Sequence, residues 1–141
     1  MEDLQTIEAQ VRDLAGQIDA PAIYLPTFGY SEDGARPFVQ IDSAYHYVVE
    51  ERGQEIRRNS TNDPDELLYW IFDDIASAIA SDWELKNRRE DEDFRIQWFT
   101  KRMELLRGLS PAWEQRWKND HWQLLGSLGM RPEERITQTP Q

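Results

Sequence analysis

The chain has 141 residues, of which 39% are hydrophobic and 11% aromatic, and its formal net charge is −11. This length suits one domain that buries roughly two-thirds of its unfolded surface, and the composition excludes a disordered chain. With no cysteine, the chain has no disulfide framework, thiol nucleophile or thiolate metal site. The negative charge repels phosphate backbones, so we expect no nucleic-acid partner, and it favours a basic protein.

Targeting signals are also missing from the sequence. No apolar run approaches the roughly 18 residues that cross a bilayer, and the start MEDLQTIEAQ is acidic and unlike a secretory signal. These features predict a cytoplasmic protein that does not bind a membrane.

The N-terminal segment predicts an amphipathic helix over residues 3–17, because its apolar positions recur at spacings of three and four. The Pro- and Gly-rich segment 19–37 follows and indicates an irregular loop with a short extended piece at 23–25. The apolar stripe of the helix consists of Leu4, Ile7, Val11, Leu14 and Ile18.

Aromatic and β-branched runs at 38–41, 45–50 and 55–59 predict three strands. Turn residues at 42–43 and 52–53 join them into an antiparallel meander. Alternation along the middle strand places Tyr45, Tyr47 and Val49 on one face, with His46 and Val48 on the other.

The second half predicts three helices. Asp63 and Pro64 suit the N-cap and first position of a helix that runs to 86–88. A second helix is expected over 91–107, ended by Gly108, and a third begins at Pro111 after the cap Ser110. The third helix carries one stripe of Trp113, Trp117, His121, Leu124 and Leu128.

Strands followed by helices indicate an α+β fold. We therefore predict an N-terminal helix, a small antiparallel meander of about three strands and three C-terminal helices packed on it. This forms a single domain over 1–130, with a polar, flexible tail at 131–141.

The long helix carries a tryptophan on an unexpected side. Trp70 lies roughly opposite the apolar stripe and shares its side with carboxylates. Two interpretations remain open: the helix is buried on two sides and Trp70 packs under the sheet or the first helix, or Trp70 is an aromatic anchor for a partner. The stripe itself consists of Leu68, Ile71, Phe72, Ile75 and Ile79, with Trp83 at its edge.

Acidic residues are concentrated around this helix. Residues 61–93 contain 11 Asp or Glu against 3 Lys or Arg, a balance of −8, and end in the block 90–93. The block is either a solvated helix junction or a docking surface for a basic partner, and the overall charge either attracts a partner or only maintains solubility.

Catalytic patterns are few. His121 lies on the tryptophan stripe and is typical of a packed residue, whereas His46 alternates with two tyrosines in a strand. Asp73 and Asp74 are adjacent and diverge by about 100° on a helix. The chain has no phosphate-binding glycine loop, no H-E-x-x-H and no G-x-S-x-G. We therefore predict a protein that is not an enzyme, with no catalytic, cofactor-binding or metal-binding residues.

The stretch over about 21–125 contains three specific segments: ERGQE at 51–55, DELLYWIF at 65–72 and a DFR…W run that starts at 93. With these segments, the stretch resembles the bacterial immunity protein 63 family. The resemblance implies an α+β immunity partner of a polymorphic toxin, usually encoded beside that toxin. It assigns no catalytic or metal-binding residues.

Pattern, charge and resemblance together predict stoichiometric occlusion of a basic cleft on a cognate toxin, with a nuclease as the favoured target class. The alternatives are an acidic adaptor or scaffold unconnected with toxins, and an enzyme-like antidote or hydrolase that uses His46 with nearby carboxylates. The predicted partner-binding residues are Trp70, Asp73, Asp74, Glu84, Glu90, Asp91 and Glu92.

Overall fold

The structure, a computed structural model, describes residues 1–131, so the predicted tail lies outside the described residues from position 132 onward. The described chain is α+β and contains five α-helices and a four-stranded mixed sheet. It divides into two compact units, an N-terminal unit of residues 1–78 and a C-terminal unit that begins at Ile79. The boundary falls inside the long helix, and the prediction of a single domain over 1–130 stays a prediction.

Helix α1 spans Leu4–Gln17 and confirms the first predicted helix. The Asp3 carboxylate accepts the Thr6 backbone N–H at 2.8 Å, which satisfies one of the donors that the first turn leaves open. Ile7, Val11 and Ala15 are buried, so the central part of the predicted stripe faces the core.

The sheet has one strand more than the sequence predicts. Strands β2 (Pro37–Ile41), β3 (Tyr45–Glu51) and β4 (Gln54–Thr61) form the expected antiparallel meander. Strand β1 (Thr27–Phe28) pairs with β2 in parallel, at the edge opposite β4. A two-residue strand has no periodicity to detect, which is why it was predicted as loop.

The extended piece predicted at 23–25 is wrong, because Ala22–Tyr24 forms a 3₁₀ turn. After β1 the chain turns at Gly29, which has φ +87° and donates its N–H to the Val39 carbonyl at 2.7 Å. A Cβ there would meet Leu4 Cδ2 at 2.9 Å, so this turn favours glycine for both reasons.

The β3–β4 hairpin contains the predicted turn at Arg52 and Gly53, whose φ angles of +54° and +74° match a type I′ turn. A β-bulge then shifts the register, since Val49 pairs with Arg57 while Glu50 pairs with Glu55. As a result His46 lies opposite Ser60.

Helix α2 spans Pro64–Lys86, and the Asp63 carboxylate accepts the Asp65 N–H at 3.0 Å. The predicted stripe is partly wrong, because Leu67 is fully buried whereas Leu68 and Ile79 are only half-buried. The helix is buried over a wider arc than a single amphipathic face. A prediction that assumed one apolar face therefore identified only part of the buried set. Its buried residues are Leu67, Tyr69, Ile71, Phe72, Ile75, Ala76, Ala80 and Glu84.

Helix α3 spans Phe94–Leu109 and is capped by Asp93, so it begins three residues later than predicted. Gly108 lies within its last turn and does not end it. The predicted helix start at 91 is wrong because the Asp93 carboxylate accepts the Arg95 N–H and sets the N-terminus there.

The predicted third C-terminal helix is two helices, α4 (Pro111–Asp120) and α5 (Trp122–Ser127). His121 interrupts them with φ −114° and ψ 20°, its Nδ1 lies 2.8 Å from the Trp117 carbonyl oxygen, and its ring stacks on Trp117 at 4.1 Å. Leu125 is buried, whereas Leu124 and Leu128 are half-buried.

Aromatic rings build the core of the C-terminal unit. Phe99 lies 5.2 Å from Trp98 and 5.3 Å from Trp117, measured between ring centroids. The guanidinium of Arg102 lies 5.1 Å from the Trp98 ring and 5.0 Å from the Trp117 ring. Such cation–π contacts allow a charged group to be buried among aromatic residues.

Two leucines of α2 test the corrected stripe. Leu67→Ala should lower the free energy of unfolding by about 2–5 kcal/mol, because it leaves a cavity at a fully buried site. Leu85→Ala, at a side chain that is 62% exposed, should change it by no more than about 0.5 kcal/mol. Urea unfolding followed by circular dichroism measures both, and equal effects would contradict the burial assigned to α2.

Candidate functional site

The excess negative charge of the chain is located in the N-terminal unit. Residues 1–78 contain 16 Asp or Glu against 5 Lys or Arg, a balance of −11, whereas residues 79–141 contain 11 of each. Four of the five cations in the N-terminal unit already pair with carboxylates of that unit. The excess of carboxylates therefore gives this unit a strongly negative field.

Three of the predicted partner-binding residues lie on the N-terminal unit's part of α2. Trp70, Asp73 and Asp74 are all half-buried. Asp74 is also a structural residue, since its Oδ2 accepts the Tyr47 hydroxyl at 2.8 Å and Arg57 Nη1–H at 3.1 Å. Burial, together with the Asp74 carboxylate, raises the pKa of Tyr47 well above its usual value, so the phenol remains the hydrogen-bond donor.

Glu84 does not contribute an accessible carboxylate. Its side chain is only 4% exposed, and its two oxygens accept Nε–H and Nη2–H of Arg88 at 2.9 and 3.0 Å. A buried carboxylate in a bidentate arginine pair is a structural group. The sequence analysis placed Glu84 on the polar side of α2, because apolar periodicity does not show which sides of a helix other elements pack against.

The remaining predicted residues lie between α2 and α3 in the C-terminal unit. Glu90 and Asp91 are exposed, and Glu92 is half-buried. Residues 86–95 contain four acids and four bases, so the block 90–93 is neutralised locally. The Arg95 side chain, which hydrogen-bonds to Asp93, lowers the pKa of that carboxyl to about 2.

A polar cluster that sequence reasoning did not assemble lies in the sheet. His46 of β3 lies between Asp42, in the turn after β2, and Ser60 of β4. Its Nε2 is 2.8 Å from Asp42 Oδ1, and its Nδ1 is 2.6 Å from Ser60 Oγ. The i,i+4 spacing of Asp42 and His46 was visible in the sequence, but Ser60 reaches His46 only through the bulge-shifted register.

Neither a metal-binding cluster nor a membrane-spanning helix occurs in the described part of the chain. Within 1–131, no three His, Asp or Glu side chains come together in a group that could hold a metal ion. Over the same residues, no helix is both long and apolar enough to span a bilayer.

In a comparison with known protein families, the model of the family described as Immunity protein 63 matches residues 42–123. The matched region begins at Asp42 and includes His46, Ser60, Trp70 and the acidic block. No curated protein matches the chain. No solved structure matches it either.

The Asp42–His46 contact can be tested by titration. The hydrogen bond from His46, with a second from the Ala44 N–H, lowers the pKa of Asp42. Because the folded-state pKa lies below the unfolded value, this carboxylate stabilises the fold above the ordinary aspartate pKa of about 3.9, and the effect is lost as pH falls through the folded pKa. His46→Ala should raise the pKa of Asp42 towards that ordinary value.

Side-chain carboxyl chemical shifts followed by NMR would measure this change. Ser60→Ala is the matched control, since it removes the other hydrogen bond of His46 and should leave the pKa of Asp42 low. An unchanged Asp42 titration in His46→Ala would contradict the assigned contact.

Proposed function

The chain belongs to the Immunity protein 63 family, and from that premise we propose that it binds a cognate bacterial toxin and neutralises it by stoichiometric occlusion. The family match over residues 42–123 is the observation that carries the immunity role. The distribution of charge supports the mechanism. An N-terminal unit with a balance of −11 is suited to cover a basic surface.

The favoured target is a nuclease toxin. Enzymes that cleave nucleic acids bind polyanions, so their substrate clefts are rich in Lys and Arg. A negatively charged protein that covers such a cleft competes with the substrate for the same cations. Opposite charges also accelerate the encounter, which benefits an antidote that must act before the toxin does.

Trp70 is the proposed anchor. It is half-buried on α2 of the N-terminal unit, beside the half-buried Asp73 and Asp74. Partly exposed tryptophans held in a rigid element are frequent hot spots, because they bury a large area at little entropic cost. Asp73 supplies charge next to this ring, and Asp74 holds Arg57 and Tyr47 in place.

Affinity capture of the tagged full-length chain from its native host, followed by mass spectrometry, would identify the toxin. Titration of the purified toxin against the chain then tests the mechanism, because an occluder abolishes toxin activity at one copy per toxin. Protection at far lower ratios would contradict occlusion and favour an enzyme-like antidote. A host that expresses the toxin but yields no complex would contradict the immunity proposal itself.

Truncation of the anchor gives a quantitative prediction for toxin binding. Trp70→Ala should weaken toxin binding by at least about 2 kcal/mol, roughly 30-fold in Kd, measured by calorimetry. Trp83→Ala is the matched control, since Trp83 is a half-buried tryptophan of the same helix. Circular dichroism should show that both variants fold. A folded Trp70→Ala variant with unchanged affinity would remove Trp70 from the interface.

Charge removal gives a prediction for the rate of toxin association. The triple variant Asp13→Asn, Asp19→Asn, Glu51→Gln removes three exposed charges from the N-terminal unit and should slow association about tenfold at low salt. The difference from the unmodified chain should shrink as ionic strength rises.

A matched triple, Glu90→Gln, Asp91→Asn, Glu92→Gln, separates long-range steering from direct contact in the acidic block. If the block only adds to the field, this variant changes the association rate, whereas loss of direct contacts raises the dissociation rate. Stopped-flow association and dissociation measurements distinguish the two. If neither triple changes either rate, the acidic surfaces do not take part in binding.

A further inference from the structure

The Asp42–His46–Ser60 cluster has the order of groups that activates a serine. A nucleophile needs an adjacent base, and the base needs a third group that fixes its orientation. Here Ser60 Oγ lies 2.6 Å from one imidazole nitrogen, and Asp42 Oδ1 lies 2.8 Å from the other. Both contacts fall within hydrogen-bonding range, so one ring is held at both of its nitrogens.

The protons of the cluster can be assigned from its acceptors. An ionised carboxylate only accepts hydrogen bonds, so the His46 Nε2 that faces Asp42 carries a proton. In the neutral ring Nδ1 is then the bare nitrogen, and the Ser60 hydroxyl donates to it. The two nitrogens are exchanged relative to a serine protease, but the sequence of serine, base and carboxylate is the same.

The surroundings shield the base and leave the nucleophile accessible. The His46 side chain is only 14% exposed, whereas Ser60 is exposed on β4, an edge strand of the sheet. The bulge between Val49 and Glu50 sets the register that brings Ser60 to the ring. Bulges that redirect a side chain in this way are common beside active sites.

We propose that Ser60 is a nucleophile that accepts an acyl group from an activated ester, with His46 as its general base and Asp42 as a positioning residue. Ser60 Oγ forms a bond to the carbonyl carbon while its proton passes to His46 Nδ1. The bond from that carbon to the leaving oxygen breaks, and the leaving group takes the proton from Nδ1. The products are an acyl ester of Ser60 and a free alcohol.

The full-length chain and 4-nitrophenyl acetate provide the test. Released nitrophenolate reports the rate, and peptide mass spectrometry locates the acetyl group. Ser60 should be acetylated at least about 10²-fold faster than Ser31 and Ser81, two exposed serines without a histidine base in the described chain, because general-base catalysis typically contributes that factor. Equal modification of the three serines would overturn the proposal.

Variants separate activation from mere exposure. Ser60→Ala should remove the adduct, and His46→Gln should slow acetylation of Ser60 by about 10²-fold or more. Asp42→Asn is the sharpest test. The asparagine amide can donate to Nε2, which would move the ring proton to Nδ1. A protonated Nδ1 cannot accept the Ser60 proton, so acetylation of Ser60 should slow at least as much as in His46→Gln. Asp120→Asn, at an exposed aspartate outside the cluster, should leave the rate unchanged.

Circular dichroism would show that each variant folds. An Asp42→Asn variant that folds and is acetylated as fast as the unmodified chain would overturn the proposal. The outcome is independent of immunity, because toxin binding can be titrated in Ser60→Ala. Full neutralisation by that variant would leave the immunity role intact whether or not Ser60 is reactive.

Discussion

The N-terminal unit depends on the alternation of side chains along β3. This strand lies between β2 and β4, and Tyr45 and Tyr47, which lie on the same face of it, are almost completely buried. The Tyr45 hydroxyl accepts the Glu2 N–H at 2.7 Å, and the Tyr47 hydroxyl donates to Asp74 at 2.8 Å. One face of a single strand therefore holds the start of the N-terminal segment and helix α2, while the other face carries His46. A slip of one residue would exchange the two sets.

The bulge determines which residues of β4 join each set. A two-residue turn at 52–53 without a bulge would place Asn59 opposite His46, but the observed register places Ser60 there. The same shift brings Arg57 opposite Val49, on the face of Tyr47, where its guanidinium lies 5.1 Å from the Tyr47 ring and bonds to Asp74. One inserted residue thus organises both the ion pair against α2 and the Asp42–His46–Ser60 cluster.

Local signals predicted much of the fold. Apolar periodicity located α1, capping residues located the starts of α2 and α4, and the Arg52–Gly53 pair located the hairpin, because each signal acts within a few residues of the chain. Features that depend on distant partners were not predicted. Strand β1, for example, exists only through its pairing with β2.

The candidate sites likewise combine features that local sequence predicts with features that depend on distant residues. Sequence identified His46, but the bulge that supplies Ser60 has no signature in the residues themselves. It identified Glu84 as polar, but the burial of the Glu84 side chain depends on what covers α2. The charge excess was assigned to residues 61–93, where acids cluster along the chain. The boundary between compact units assigns it instead to residues 1–78, because the cations that follow the block 90–93 belong to the same unit as the block.

This division of charge constrains how the chain can act on a basic partner. A neutral C-terminal unit gives little long-range attraction, so steering must come from the N-terminal unit, and contacts made by residues 79–131 must be short-range. Carboxylates spread over a whole unit can steer without any of them being indispensable, whereas a single anchor, the role proposed for Trp70, is sensitive to one substitution. Long-range attraction and close contact therefore place different demands on the sequence: the first requires only net charge, and the second requires particular residues at particular positions.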